Sequence, residues 1–310
     1  MNLQVEYKGA NGLISNRNYY MPYLALLKHM ACVGMGKYKN RHPFVIKRSL
    51  GMLLHYWEFL NFQSFCNNQF YKPPRTSNHY DPTEIAQFSC IVGRGIADFL
   101  AKRIDRSTYT DGYEAYLAQN NINTKNGDKR ADLVAYRENK GPFVIECKGI
   151  SNVSPHVTLN NAKNQINNVI SNPQLQGRFN FGIDCVSYNL YNQVKVCYHD
   201  PKFDNIKSDD DFGLKELSKL YYKAFFDLYK EVKKAKIRNF GKEKFIIVNL
   251  GFENSVLFRC IGDISLILPY NIKELSENGI SRETQPFEIE NNDDGIYIDN
   301  DRIGLMYNNL

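Results

Sequence analysis

The 310-residue chain has a single tryptophan, no Cys-x-x-Cys pair, no internal repeat and no long uninterrupted apolar run. Each absence excludes something. The seven cysteines (Cys32, Cys66, Cys90, Cys147, Cys185, Cys197, Cys260) are odd in number, scattered and set mostly among apolar neighbours. They read as buried thiols in a reducing compartment, not as a zinc site or a disulfide frame. The most apolar early stretch, MPYLALLKHMACVGMG, is interrupted by Lys28 and His29, and the opening MNLQVEYKGANG carries no basic-then-apolar signal. A cytoplasmic, non-membrane protein is therefore expected. Without a repeat period, solenoids and propellers are not indicated. What is present, 43% hydrophobic and 23% charged residues, matches an ordinary folded chain.

The net charge of +6 is unevenly placed. Residues 1–80 hold 10 Lys+Arg against 2 Asp+Glu, a balance of +8, whereas residues 81–200 come to +1 and residues 201–310 to −3. A basic block favours polyanions, of which nucleic acid is the commonest soluble one; it also describes a plain solvated surface. The segment GKYKNRHPFVIKR mixes Lys37, Lys39, Arg41, Lys47 and Arg48 with Tyr38 and Phe44, as a loop contacting a nucleic-acid backbone would.

Two breaker-rich segments, KPPRTSNHYDP and DPKFDNIKSDDDFG, divide the chain into a basic, mainly helical N-terminal region (1–80), a central unit (81–200) and a helix-plus-strand extension (201–310). In the first region Leu53, Tyr56, Trp57 and Leu60 form a helical stripe that reads as core. The central unit opens with a helix capped by Asp81 or Thr83, with Pro82 in its first turn and Ile85, Phe88, Val92, Ile96 and Phe99 on one face. GYEAYLA, RADLVAY and PFVIECKG follow as strands, TLNNAKNQINNVIS as a helix and FGIDCVSY as a further strand, with NQVKVCYH a possible partner. The predicted class is α/β, with the order α-β-β-β-α-β.

Charge at the end of an apolar strand marks the candidate site. Side chains alternate along a strand, so Val144, Glu146 and Lys148 share one face. A three-residue turn pairing Arg137 with Gly141 puts Asp132 opposite Glu146. Two carboxylates so close repel, and burial would raise one pKa unless a positive charge lay between them. A hard divalent cation satisfies both, since Mg²⁺ takes oxygen from one or two carboxylates and keeps other positions for water and phosphate. Lys148 adds a point charge beside it, able to orient or deprotonate a water and to stabilise charge developing on phosphate oxygens. The plain alternative is a hairpin whose Glu146 and Lys148 are exposed and make surface ion pairs.

Asp132 followed by Glu146-Cys147-Lys148 on the next strand resembles the PD-(D/E)xK nuclease superfamily, over roughly residues 83–190. Ala131 stands where the name-giving proline would be. The resemblance implies a restriction-endonuclease-like core and a metal-dependent phosphodiesterase. In it Asp132, Glu146 and the Cys147 carbonyl hold Mg²⁺, or Mn²⁺ in its place, and Lys148 assists attack on a DNA phosphodiester. It implies a further acid on the first helix, for which Glu84 is the candidate and Glu114 a weaker one. A site-facing residue on the following helix is also implied, Gln165 ahead of Lys163. An endonuclease of restriction or anti-phage defence fits best, with DNA as partner and a homodimer, a helicase/ATPase or a methyltransferase as possible associates. A DNA repair or junction-resolving nuclease, and a non-catalytic nucleic-acid-binding or assembly protein on the same fold, are the alternatives. His156 and His199 read as loop or surface residues.

Overall fold

The strands of this chain form two sheets. The computed structural model describes all residues except 10, 34–43, 77–80, 124–129, 138–139, 180, 201–213, 233–234, 250–263, 281–294 and 308–310, together with the side chains of 44–48, 50 and 140. The basic segment 36–48 therefore lies outside the described side chains, as do most of the 200–213 linker and Cys260.

The first elements are strands: β1 (Asn2–Lys8) and β2 (Ile14–Tyr20) form an antiparallel hairpin. Helices α1 (Tyr23–Cys32), α2 (Phe44–His55) and α3 (Phe62–Cys66) follow. The N-terminal region is thus not simply helical. Alternating Leu3 and Val5 bury one side of β1, and the strand lies parallel to β7 (Lys195–His199). Within the expected stripe Leu53, Tyr56 and Leu60 are buried, but Trp57 is exposed because α2 ends at His55 and the phase of the helix is lost.

The central unit runs α4 (Pro82–Ile104), β3 (Ser107–Gly112), α5 (Tyr113–Gln119), β4 (Leu133–Arg137), β5 (Lys140–Gly149), α6 (His156–Ile170), β6 (Gly182–Tyr188) and β7. Asp81 caps α4, its carboxylate accepting from the Thr83 amide at 2.7 Å, with Pro82 at the first position and the whole predicted stripe buried. The expected strand GYEAYLA is instead α5: Tyr113, Tyr116 and Leu117 fall at spacings of three and four, and all are buried. The strand in its place is β3, whose Ser, Thr and Asp residues form no apolar run.

Seven strands make one mixed sheet in the order β2-β1-β7-β6-β5-β4-β3. β5 and β6 are parallel, and α6 is the crossover that parallel neighbours require. A Cβ on Gly182 would come within 2.3 Å of Ile166 on α6 and 3.3 Å of Val144, so α6 lies on the face that carries Val144, Glu146 and Lys148. Helix α4 packs where β5 ends: a Cβ on Gly149, whose side alternates with that of Lys148, would meet the Ser89 carbonyl at 1.8 Å. Gly149→Ala is therefore expected to lower stability by about 1 to 3 kcal/mol. Urea unfolding checks this, and an unchanged midpoint would refute the close packing.

The described C-terminal strands do not extend this sheet. Helix α7 (Leu214–Glu231) leads into β8 (Ala235–Phe240), β9 (Glu243–Asn249), β10 (Ile264–Pro269), α8 (Ile272–Asn278), β11 (Ile296–Ile298) and β12 (Gly304–Tyr307). These strands form a second sheet in the order β11-β12-β10-β9-β8.

A buried polar cluster ties the parts together. Lys28 of α1 reaches Asp299 (2.9 Å) and Asp301 (2.6 Å) in the β11–β12 turn, and Lys102 of α4 reaches both at 2.9 Å. His29 Nδ1 lies 2.6 Å from Asp98 and its Nε2 2.9 Å from the Tyr297 hydroxyl. Burial holds the imidazole below its ordinary pKa, although Asp98 and Asp299 pull it up. A neutral ring beside an ionised Asp98 donates from Nδ1 and accepts the Tyr297 proton at Nε2. Tyr221 donates to Asp301 and Thr110 to Asp98. Among the described residues, no helix is long and apolar enough to cross a membrane.

Candidate active site

Asp132 enters the site through its backbone. Its amide donates to the Ile145 carbonyl at 3.1 Å, and its own carbonyl accepts from the Tyr113 amide at 3.0 Å. The β4–β5 register pairs Leu133 with Ile145, which continued by one residue sets Asp132 opposite Glu146. The expected register is therefore reached, by a different route. Arg137 pairs with Lys140, not Gly141, and an irregularity between Ala135 and Arg137 shifts the ladder by one residue before the site.

Glu146 is 0% exposed, which rules out the surface ion pair as a reading of this hairpin. Neither carboxylate oxygen accepts a well-formed hydrogen bond, although the Lys148 ammonium contacts Oε1 as an ion pair. Burial first, then the nearby Asp132 charge, raise the Glu146 carboxyl from 4.5 to about 8, against the opposing pull of Lys148 and Arg94. Lys148 is one-third exposed. Burial draws its pKa down, but Glu146 outweighs that and leaves it above the ordinary range, so it stays a cation. Cys147 turns its thiol into the core, where burial pushes it well up, while its amide donates to Asp132 Oδ2 at 3.1 Å.

Arg94 is a site residue that sequence reasoning missed. Its Nη2 lies 2.5 Å and its Nε 3.2 Å from Asp132 Oδ1, and burial is outweighed by Asp132 in raising its pKa. It stands between Gly93 and Gly95 on α4. A Cβ on Gly93 would sit 2.6 Å from the Gly149 amide, and one on Gly95 3.0 Å from Met30. The Gly-Arg-Gly triplet, which admits close backbone approach on both sides of an arginine, is the signal that could have found it.

Glu84 is not brought to this site. It pairs with His55 at 3.4 Å in the first turn of α4, ten residues before Arg94 and thus about 15 Å away along the helix axis. Glu114 is engaged by Arg130 at 2.6 Å. Gln165 does reach the rim: its Nε2 donates to the Arg130 carbonyl at 3.2 Å, two residues before Asp132. Lys163 acts one strand over, on the buried Asp184 of β6, which the β5–β6 register sets beside Glu146. His156 is exposed at the start of α6. Among the described cysteines, Cys32, Cys147, Cys185 and Cys197 are buried as expected, whereas Cys66 and Cys90 are exposed.

The residues present fit a hard cation. A fully buried carboxylate, with the Lys148 ammonium at Oε1 and no hydrogen-bond donor at Oε2, lies beside a second carboxylate, and two carboxylate oxygens suit Mg²⁺ or Mn²⁺. Their environment also holds two partly exposed cations, Arg94 and Lys148, facing outward.

No known protein family, curated protein or solved structure matches this chain. A functional reading therefore rests on the geometry of the site.

Proposed function

We propose that the chain is a metal-dependent nuclease hydrolysing DNA phosphodiester bonds, an endonuclease of restriction or anti-phage defence built on a restriction-endonuclease-like core. The observation that supports this most is Glu146: a carboxylate with zero exposure, whose Oε1 meets the Lys148 ammonium and whose Oε2 has no hydrogen-bond donor, is costly to keep unless something binds it. Asp132, Glu146 and the Cys147 carbonyl would hold Mg²⁺ or Mn²⁺. That ion would supply Lewis acidity and a lowered pKa for water. Lys148, held as a cation, would not take a proton from water; it would orient water and neutralise charge on phosphate oxygens. Arg94, 45% exposed and planar, presents a fork suited to a second phosphate oxygen. Gln165, held on the Arg130 carbonyl, would fix the approach to Asp132.

One observation favours a second reading, a non-catalytic nucleic-acid-binding protein on the same fold. Asp132 already has the Arg94 guanidinium on one oxygen and the Cys147 amide on the other. Both readings meet one experiment. Plasmid, linear duplex, single-stranded DNA and RNA are incubated with the protein in Mg²⁺, Mn²⁺ or EDTA. Cleavage that needs the ion and falls at least about 100-fold in Asp132→Ala is the expected result. Equal behaviour of wild type and Asp132→Ala on every substrate refutes the catalytic reading. A neighbouring methyltransferase gene would point to restriction and a helicase or ATPase gene to a multi-protein defence complex. A dimer would supply the two sites that double-strand cleavage needs.

A further inference from the structure

On the face of the central sheet that carries Glu146, two strands along from it, three side chains of different chemistry meet. Glu6 of β1 is paired with Cys197 of β7, and His199 follows two residues on, so all three point to one face. Their ligating atoms (a carboxylate oxygen, the thiol sulfur and an imidazole nitrogen) all lie within 4.8 Å of one another. His199 Nε2 is 3.0 Å from Glu6 Oε1. Among the described residues this is the only group of three or more His, Cys, Asp or Glu side chains so convergent.

We propose that Glu6, Cys197 and His199 form a site for a borderline-soft divalent ion, Zn²⁺ above others, that clips the N-terminal strand β1 to β7. The donor set selects the metal. Thiolate and imidazole are poor ligands for Mg²⁺ and good ones for Zn²⁺, which accepts sulfur at about 2.3 Å and nitrogen or oxygen at about 2.0 to 2.2 Å in tetrahedral order. Ligand atoms around such an ion stand roughly 3.5 Å apart, so a small closure from the present spread completes three positions. The graded exposure fits a site entered from solvent: Cys197 is buried against Ala162 and Val186, whereas Glu6 is 41% exposed and leaves the fourth position to water.

The charge around the cluster is nearly balanced. Lys8, paired with His199 across β1 and β7, and Lys163 of α6 both act on the imidazole. Against them stand Glu6 and Asp184, the cross-strand partner of His199 on β6, which is buried with Oδ1 lacking a hydrogen-bond partner. A dication at Glu6, Cys197 and His199 gives that buried carboxylate a counter-charge on its own face of the sheet. This inference is independent of the nuclease reading, because a hard ion at Asp132 and Glu146 has no thiolate ligand.

Cobalt is the probe that sees sulfur. The full chain, with exposed Cys66 and Cys90 replaced by serine, is stripped with EDTA, dialysed and titrated with Co²⁺. The expected result is a thiolate-to-cobalt charge-transfer band in the near ultraviolet with visible tetrahedral bands. It should saturate at one ion per chain, be displaced by Zn²⁺, and be lost in Cys197→Ser and in His199→Ala. Cys185→Ser, whose thiol lies on the opposite face, should keep the band. A second readout guards against misfolded variants: Zn²⁺ should raise the unfolding temperature of the parent but not of His199→Ala, with circular dichroism confirming that both are folded. A titration that gives no charge-transfer band, or a band that persists in folded Cys197→Ser, overturns the proposal.

Discussion

Lys102→Met should cost the protein about 3 to 5 kcal/mol, several times the loss expected at any exposed ion pair of the chain. Lys102 is 4% exposed and lies 2.9 Å from both Asp299 and Asp301, with Asp98 at 3.7 Å. With a neutral His29, the cluster holds three carboxylates against Lys28 and Lys102. Removing one ammonium leaves two uncompensated negative charges in a low-dielectric interior, and desolvation is then unopposed. Methionine preserves most of the volume, so packing loss does not confound the result. Urea unfolding of the variant should show the drop, with a fall of roughly 10 °C in melting temperature. Lys219→Met, which removes a half-exposed pair with Glu216 at 3.5 Å, should cost less than about 1 kcal/mol. If the two variants lose similar amounts, the buried cluster does not tie α1 and α4 to the β11–β12 turn.

Glu146→Gln should act in the opposite direction once the metal is absent. The Glu146 carboxyl is raised in the folded protein to about 8, so the native state holds this proton more tightly than the unfolded chain does. The stabilisation is complete below the ordinary carboxylate pKa of 4.5 and is lost as pH climbs through about 8. At roughly 1.4 kcal/mol for each tenfold change in proton affinity, wild type should lose about 5 kcal/mol from this group between acid and alkaline conditions. Glutamine carries no proton to lose. In EDTA the variant should therefore match wild type near pH 5, to within about 1 kcal/mol, and exceed it near pH 9. Saturating Mg²⁺ or Mn²⁺ should reverse the order, by stabilising wild type through binding and leaving Glu146→Gln unmoved. A wild-type pH profile no steeper than that of the variant would show that Glu146 is not held as a strained carboxylate.

How much of the fold and the site is legible in the sequence depends on how local the cause is. The burial of Glu146 opposite Asp132 follows from period-two alternation in two strands, at positions fourteen residues apart. A shift within the hairpin changes the turn and leaves that relation intact. The α4 cap and stripe are equally local. By contrast, β3 is a strand made of Ser, Thr, Tyr and Asp, stabilised by the sheet around it and not by its own pattern. Arg94 cannot be found from helix periodicity, because its partner is reached around the end of the sheet. Lys28 and His29 are visible as polar residues inside an apolar helix. Their partners at 299 and 297 lie about 270 positions away, and no spacing rule spans that distance. Cys197 and His199 likewise look scattered until β1 is laid beside β7.

The buried cluster also sets an order of events. The hairpin that bears Asp132 and Glu146 can close as soon as residues 133–145 pair, and such local contacts form fast. Helix α4 behaves differently, because the Lys102 ammonium reaches Asp299 and Asp301 only when the turn at residues 299–301 docks, up to 199 positions after Lys102. Until then, two ionised groups, Lys28 on α1 and Lys102 on α4, lack their partners at 299–301. A chain in which this turn has not docked thus has its paired carboxylates but a less firmly anchored α4, which couples docking of the turn to completion of the site.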